Sequence, residues 1–262
     1  MANSFSYQKL PPQQVRLLTP RRSSNHKELR FALRAYSVDD PPSYVAVSYT
    51  WGTSAASNFV YLNDVKHWVR PNLWWCLYYV SMNPSWRHVW VDYLCIDQTN
   101  IEERNQHVQT MDRIFSNANL VVAWLGVEDD VGALPSYLPM KCLIYDSPEC
   151  QSRTTQWASR VYWNRRWIVQ ELLLAVDVNI LCGGHCMSWP LFKAWVMDEV
   201  ETSEDHSMAT SGAVSLLAHK VEGVVHYPEY ALHDLLLEYR HTGCSDPRDR
   251  VFALLGLLSE DE

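Results

Sequence analysis

VWVDYLCIDQTNIEERNQHVQTMDRIFSNANLVVAWLG, residues 89–126, decides the fold. With His88 it opens on a short apolar run through Leu94, of the kind a strand buried on both faces requires. Thr99, with Glu102 three residues on, has the pattern of a helix-starting capping box. Val108, Met111 and Phe115 then supply an apolar stripe at helical spacing. A second buried-type strand follows from Leu120 to Leu125, and Gly126 stops it.

Working outward, YVAVSY (44–49) is another continuous apolar run, followed by a turn at Trp51-Gly52. Pro71 opens a predicted helix through Val80, with Leu73, Leu77 and Val80 on one face. Strand, helix, strand, helix, strand at this spacing predicts an α/β fold. Its parallel sheet takes residues 44–49, 88–94 and 120–125, with helices on both faces. Residues 15–36 alternate loosely and predict an N-terminal β-hairpin. Residues 126–156 read as a long loop with some helix, Ser159–Ala175 as one helix, and Val178–Cys182 as a further strand. Beyond that the pattern is helical, with one helix over Tyr230–Arg240 and a last one started by Asp246-Pro247. The expected organisation is a single domain over 1–262, with a core over 44–185 and a helical part over 186–262. The acidic SEDE at 259–262 suggests that more protein follows.

The bulk numbers bound the function. Of 262 residues 47% are hydrophobic, enough for a packed core and too many for a disordered chain. The net charge of −8 and the absence of a basic stripe disfavour nucleic acid as a partner. Arg21-Arg22 with Lys27 is short and reads as a solvated loop. No apolar signal segment opens the chain, and no apolar run is long enough to span a membrane. Seven scattered cysteines fit small buried hydrophobes in a reducing compartment, so a cytoplasmic setting is expected. Cys182-Gly-Gly-His185-Cys186 lacks a second ligand pair at finger-like spacing, so no metal is expected there. A metal-assisted hydrolase using Asp92, Asp97 and His107 lacks ligand spacing too.

Four segments carry a family resemblance: YVAVSYTWG (44–52), residues 89–126, RRWIVQEL (165–172) and SDPRDRVFALLGL (245–257). Each resembles a block of the fungal heterokaryon incompatibility (HET) domain, in the family's order. The HET family in turn resembles TIR domains. That second resemblance implies a TIR-like, flavodoxin-like central parallel sheet flanked by helices. Several TIR domains cleave NAD with a glutamate one helical turn after a tryptophan. Carried over by motif, that residue is Glu171, preceded by Trp167. The resemblance also implies a cell-death response when incompatible strains fuse and homo-oligomerisation on activation, and the SEDE ending leads us to expect further domains of the same chain as partners. NAD, or a related nucleotide, enters as substrate, and no cofactor is implied.

The chemistry can be argued without the name. Breaking the nicotinamide–ribose bond releases a neutral leaving group, so no strong acid is required. The transition state is oxocarbenium-like, and one placed carboxylate can stabilise it. In open parallel sheets ligands bind beyond the carboxyl ends of the strands. Those ends hold Tyr49, Thr50, Trp51 and Gly52, then Asp97 and Gln98, with Asp92 inside its strand as a further candidate. Each residue also has a structural role open to it. Glu171 can be a buried ion-pair partner of the Arg165-Arg166 pair. Trp51 and Trp167 can be core. Asp92 can hydrogen-bond the Trp51-Gly52 turn. Asp97 and Gln98 can cap the next helix. The whole domain can be a non-catalytic, self-associating interaction module.

Overall fold

The computed structural model describes residues 5–21, 28–127, 141–142, 148–202, 212–220 and 231–258. In chain order the elements begin β1 (Gln14–Arg21), β2 (Arg30–Ser37), β3 (Val45–Tyr49), β4 (Asn58–Leu62), β5 (Val65–Val69), α1 (Pro71–Met82), β6 (Val89–Trp90) and α2 (Asp92–Cys95). They continue α3 (Ile101–Val108), α4 (Met111–Ser116), β7 (Leu120–Trp124), β8 (Lys141–Cys142) and α5 (Pro148–Ala158). A 3-10 turn (Val161–Asn164) leads to α6 (Ile168–Leu173), β9 (Val178–Cys182), β10 (His185–Ser188), α7 (Trp189–Thr202), α8 (Gly212–His219), α9 (Leu232–Glu238) and α10 (Asp249–Leu255).

The class is mixed α/β. One sheet has the order β5-β4-β2-β1-β6-β3-β7-β9-β10-β8. Its middle, β6-β3-β7-β9, pairs in parallel, with Val47 opposite Val122 and Ala123 opposite Ile180. All five residues of β3 are buried, as a strand flanked by parallel neighbours demands. The three strands expected to be parallel, β3, β6 and β7, do pair so, and outward from this quartet the sheet is mixed. The predicted N-terminal hairpin forms, Leu18 opposite Leu33, but β1 also pairs antiparallel with β6. The hairpin therefore extends the main sheet. A second hairpin, β4–β5, had no expectation. Its turn residues Asn63 and Asp64 both take positive φ, 48° and 68°, as a primed two-residue turn requires. The Asn63 amide also exchanges hydrogen bonds with the Leu33 backbone, 3.0 and 3.2 Å, pinning the turn to β2.

Four element boundaries differ from expectation for identifiable reasons. The run 88–94 is a strand only at Val89–Trp90; at Asp92 it turns into α2, closed by Cys95 N–H to Val91 and Ile96 N–H to Asp92. A short apolar run reads alike for a buried strand and a buried helical turn. The cap of α3 is Asn100, one residue after Thr99, and its Oδ1 accepts from the Glu103 amide at 3.2 Å. The last helix starts at Asp249 and not at Asp246-Pro247; Asp246 instead accepts from the Arg248 amide in the preceding turn. The expected helix Ser159–Ala175 is broken: Arg165 is extended (φ −81°, ψ 136°) between the 3-10 turn and α6. α6 packs on β3 and β7, so the break lies over the ends of the parallel strands. The described chain beyond β10 is helical. Tyr230 and residues 259–262 lie outside the described residues, as do Arg22 and Lys27. Among the described residues no helix is long and apolar enough to cross a membrane.

Candidate functional site

The residue that decides the site is Ser48. It lies in the otherwise apolar and aromatic strand β3 and is 1% exposed. A buried hydroxyl must find partners. It finds two from the far side of the break: Glu171 on α6 and Tyr162 in the 3-10 turn. Ser48 Oγ donates to Glu171 Oε2 and lies 2.6 Å from the Tyr162 hydroxyl. A serine has one proton to give. Once given to Glu171, Tyr162 must donate to Ser48, so a directed chain runs Tyr162 to Ser48 to Glu171.

Glu171 is 4% exposed. Burial pushes its carboxyl above the ordinary carboxylate range; Arg165 and the Ser48 hydroxyl pull the other way, and Asp92 adds to the rise. The Arg165 guanidinium stands 3.7 Å from Glu171 Oε1. Its Nη1 is shielded from solvent and has no hydrogen-bond partner among the described residues. The same cation draws on Asp92, Tyr49 and Tyr162. Two carboxylates thus share one arginine.

Asp92, at the start of α2, faces the site with two donors. Trp51 Nε1 reaches its Oδ2 at 2.8 Å and the Tyr93 amide reaches Oδ1 at 2.6 Å, while the Tyr49 hydroxyl also favours its ionised form. Burial still raises its carboxyl above the usual range, against those bonds and against Arg165. Burial likewise raises the Tyr49 and Tyr162 hydroxyls, so both stay protonated donors at neutral pH. Trp51, 37% exposed, stands edge-on to Tyr93 with centroids 5.6 Å apart. Tyr49, Trp51, Arg70, Leu73 and Tyr93 line a surface depression above Asp92. The depression is shallow.

The remaining expected residues divide. Thr50 and Gly52 shape the rim. The Asn72 amide, on α1, donates to the Thr50 carbonyl at 2.6 Å and accepts from Trp124 Nε1 at 2.8 Å, tying the end of β3 to the end of β7. Gly52 takes φ +73° while its carbonyl accepts from Arg70. Trp167 directly precedes α6, its carbonyl accepting from the Glu171 amide at 3.1 Å, and its ring is partly buried against the core. Asp97 and Gln98 lie apart from the carboxylates. Asp97 caps Thr99 at 3.0 and 2.7 Å, and Gln98 Nε2 binds the Asp92 carbonyl at 3.0 Å. Glu171 lies inside the molecule and not on an open cleft, because the break at Arg165 turns it under β3. Ser48, Tyr162, Arg70, Asn72 and Tyr93 are absent from the expected set. Ser48 alone carried a signal, as the polar member of an apolar run.

Residues 44–171, which contain this whole cluster, match the family model of the heterokaryon incompatibility protein (HET). The chain is also 25% identical to heterokaryon incompatibility protein 6, OR allele, of Neurospora crassa, over 98% of its own length. It spans about half the length of that curated relative. Both comparisons support the HET reading. No solved structure matches the chain. The HET match begins at Tyr44 and ends at Glu171, so the N-terminal hairpin and helices α7–α10 fall outside it.

Proposed function

We propose that this protein is a heterokaryon incompatibility module that cleaves NAD to nicotinamide and ADP-ribose, as its resemblance to TIR domains implies. The reading rests on one observation: a buried carboxylate, Glu171, under the end of β3, with Ser48 on one oxygen and Arg165 facing the other. An ionised Glu171 would stabilise the positive charge developing on the ribose as the N-glycosidic bond breaks. The bond's electron pair leaves with nicotinamide, which departs neutral. Water adds to the anomeric carbon, and its proton goes to solvent. Arg165 eases the ionisation of Glu171 by opposing the effect of burial. The rings of Trp51 and Tyr93 offer flat walls to the bases of the nucleotide.

The shallow depression favours a second reading, a non-catalytic module that self-associates and passes on a death signal. One experiment separates the two. Concentrated protein is incubated with NAD and assayed for nicotinamide by chromatography. The enzyme reading expects release in proportion to protein. No release from protein that still kills cells assigns the chain to the interaction module.

A further inference from the structure

Two arginines adjacent in sequence face opposite ways. Arg165 is extended (φ −81°, ψ 136°) between the 3-10 turn and α6, and the two guanidinium groups go to different partners. Arg165 faces Glu171. Arg166, 2% exposed, faces the C-terminal helices. Its Nη1 donates to the Tyr239 carbonyl at 2.6 Å and to Thr242 Oγ1 at 3.1 Å, while Thr242 itself donates to the Tyr239 carbonyl at 2.7 Å. The backbone is tied at the same place. The Gly243 amide donates to the Asn164 carbonyl at 2.6 Å, and the Arg166 amide donates to the Gly243 carbonyl at 2.8 Å. Arg165 and Gly243 form an isolated parallel bridge.

These bonds explain why the helix expected over 159–175 breaks where it does. A continuous helix would satisfy its amides internally; here Gly243 replaces those bonds and holds Arg165 extended. Burying Arg166 without a carboxylate is costly, and the cost is offset only by carbonyl and hydroxyl acceptors of fixed position. Such a charge fixes geometry.

We propose that Tyr239–Gly243, outside the HET-matched segment, is a clamp that positions Arg165 against Glu171 and so sets the ionisation of that carboxylate. Arg166, Thr242 and Gly243 are positioning residues. The proposal deepens the catalytic reading of Glu171, but its primary readout does not depend on catalysis.

The test is the titration of the Glu171 carboxyl, followed by carbon NMR in the full chain and assigned by its absence in Glu171→Gln. Thr242→Val keeps the side-chain shape and removes the hydroxyl. Gly243→Pro removes the amide that binds Asn164. Gly243→Ala keeps both backbone bonds, and its Cβ would meet the Asn164 carbonyl at an ordinary 3.7 Å. Val60→Ala, in β4 at the far edge, controls for destabilisation alone. With the clamp loosened Arg165 draws away. The Glu171 midpoint then rises by about one pH unit in Thr242→Val and Gly243→Pro, the lower end of what a nearby opposite charge supplies. It stays in place in Gly243→Ala and Val60→Ala. In an NAD-cleaving protein the acid limb of the rate profile moves with it. If Gly243→Pro does not fold, Thr242→Val decides. An unmoved midpoint in folded Thr242→Val, or an equal shift in Val60→Ala, overturns the clamp. A protein that releases no nicotinamide but shows the shift keeps the clamp and loses the catalytic reading.

Discussion

Glu171 is poised between two descriptions that make different mutants. A buried ion pair broken by removing one partner typically costs about 3–5 kcal/mol. Here the cation is not stranded: Arg165 is 23% exposed along its side chain and still faces Asp92. Burial also outweighs every attraction on Glu171, leaving its carboxyl above the ordinary range. A raised carboxyl contributes stability that is full below its unfolded value and lost as pH rises through its folded value. Glu171→Gln has no such loss. We expect it to fold and, at neutral pH, to melt no lower than wild type. Its stability relative to wild type should increase from acid to neutral pH, as thermal melts across that range would show. The same direction governs catalysis with the opposite sign. The proposed NAD cleavage uses an ionised Glu171, so on that reading it should switch on as pH rises, with its acid limb above the usual carboxylate range. A rate profile flat down to pH 4 would remove Glu171 from the mechanism. How much of the site the sequence disclosed also turns on single residues. Motif placed Glu171, and Asp92 was read both as a ligand contact and as a hydrogen-bond partner of the Trp51-Gly52 turn; that hydrogen bond forms. Tyr162 was illegible, because its partner, Ser48, lies 114 residues away and no local pattern encodes such a meeting.

Two elements outside the site hold its frame. Glu103, on α3, pairs with Arg16 on β1, both side chains about 5% exposed. Burial alone would raise the Glu103 carboxyl, but the Arg16 hydrogen bonds, the Asp97 amide at 2.7 Å and the Arg16 charge hold it below the ordinary range. Its stabilisation is therefore present at neutral pH and lost as pH falls through its depressed value. Arg16→Met leaves Glu103 buried without its cation and should cost about 3–5 kcal/mol by chemical denaturation, far more than Arg21→Met at an exposed pair. At the other end, α10 docks on α6 through Gly256. A Cβ there would lie 2.6 Å from Asp112 Cβ and 2.8 Å from the Gln170 amide, so Gly256→Ala should cost about 1–3 kcal/mol by overpacking. A melt unchanged in Gly256→Ala would show that α10 is not seated on α6. At this scale the sequence was readable where period and length agree, as in α1, β7 and β9. It was not where tertiary bonds override propensity. Ser159–Ala175 has a helix's apolar spacing, and only Gly243, far along the chain, supplies the bonds that break it. The β4–β5 turn was missed because Asn-Asp is a quieter signal than Asn-Gly.

At the scale of the molecule, the parallel quartet β6-β3-β7-β9 brings Ser48, Asp92 and the break at Arg165 to one end of the sheet. The sheet's mixed wings were half legible: the N-terminal hairpin could be read, but its fusion to β6 could not, since the pairing of Leu18 with Val89 leaves no trace in local pattern. The resemblance to TIR domains implies, for the proposed activity, activation by association. Forced oligomerisation through a fused tag should therefore raise nicotinamide release per chain. Turnover per chain that is high and constant across dilution would contradict that. The account as a whole stands on Glu171. The most direct measurement compares wild type and Glu171→Gln, clustered by the same tag, for melting temperature and nicotinamide release in parallel. We predict equal or higher melting for the variant and a loss of release of roughly a hundredfold or more. A folded Glu171→Gln that cleaves NAD at the wild-type rate would contradict it.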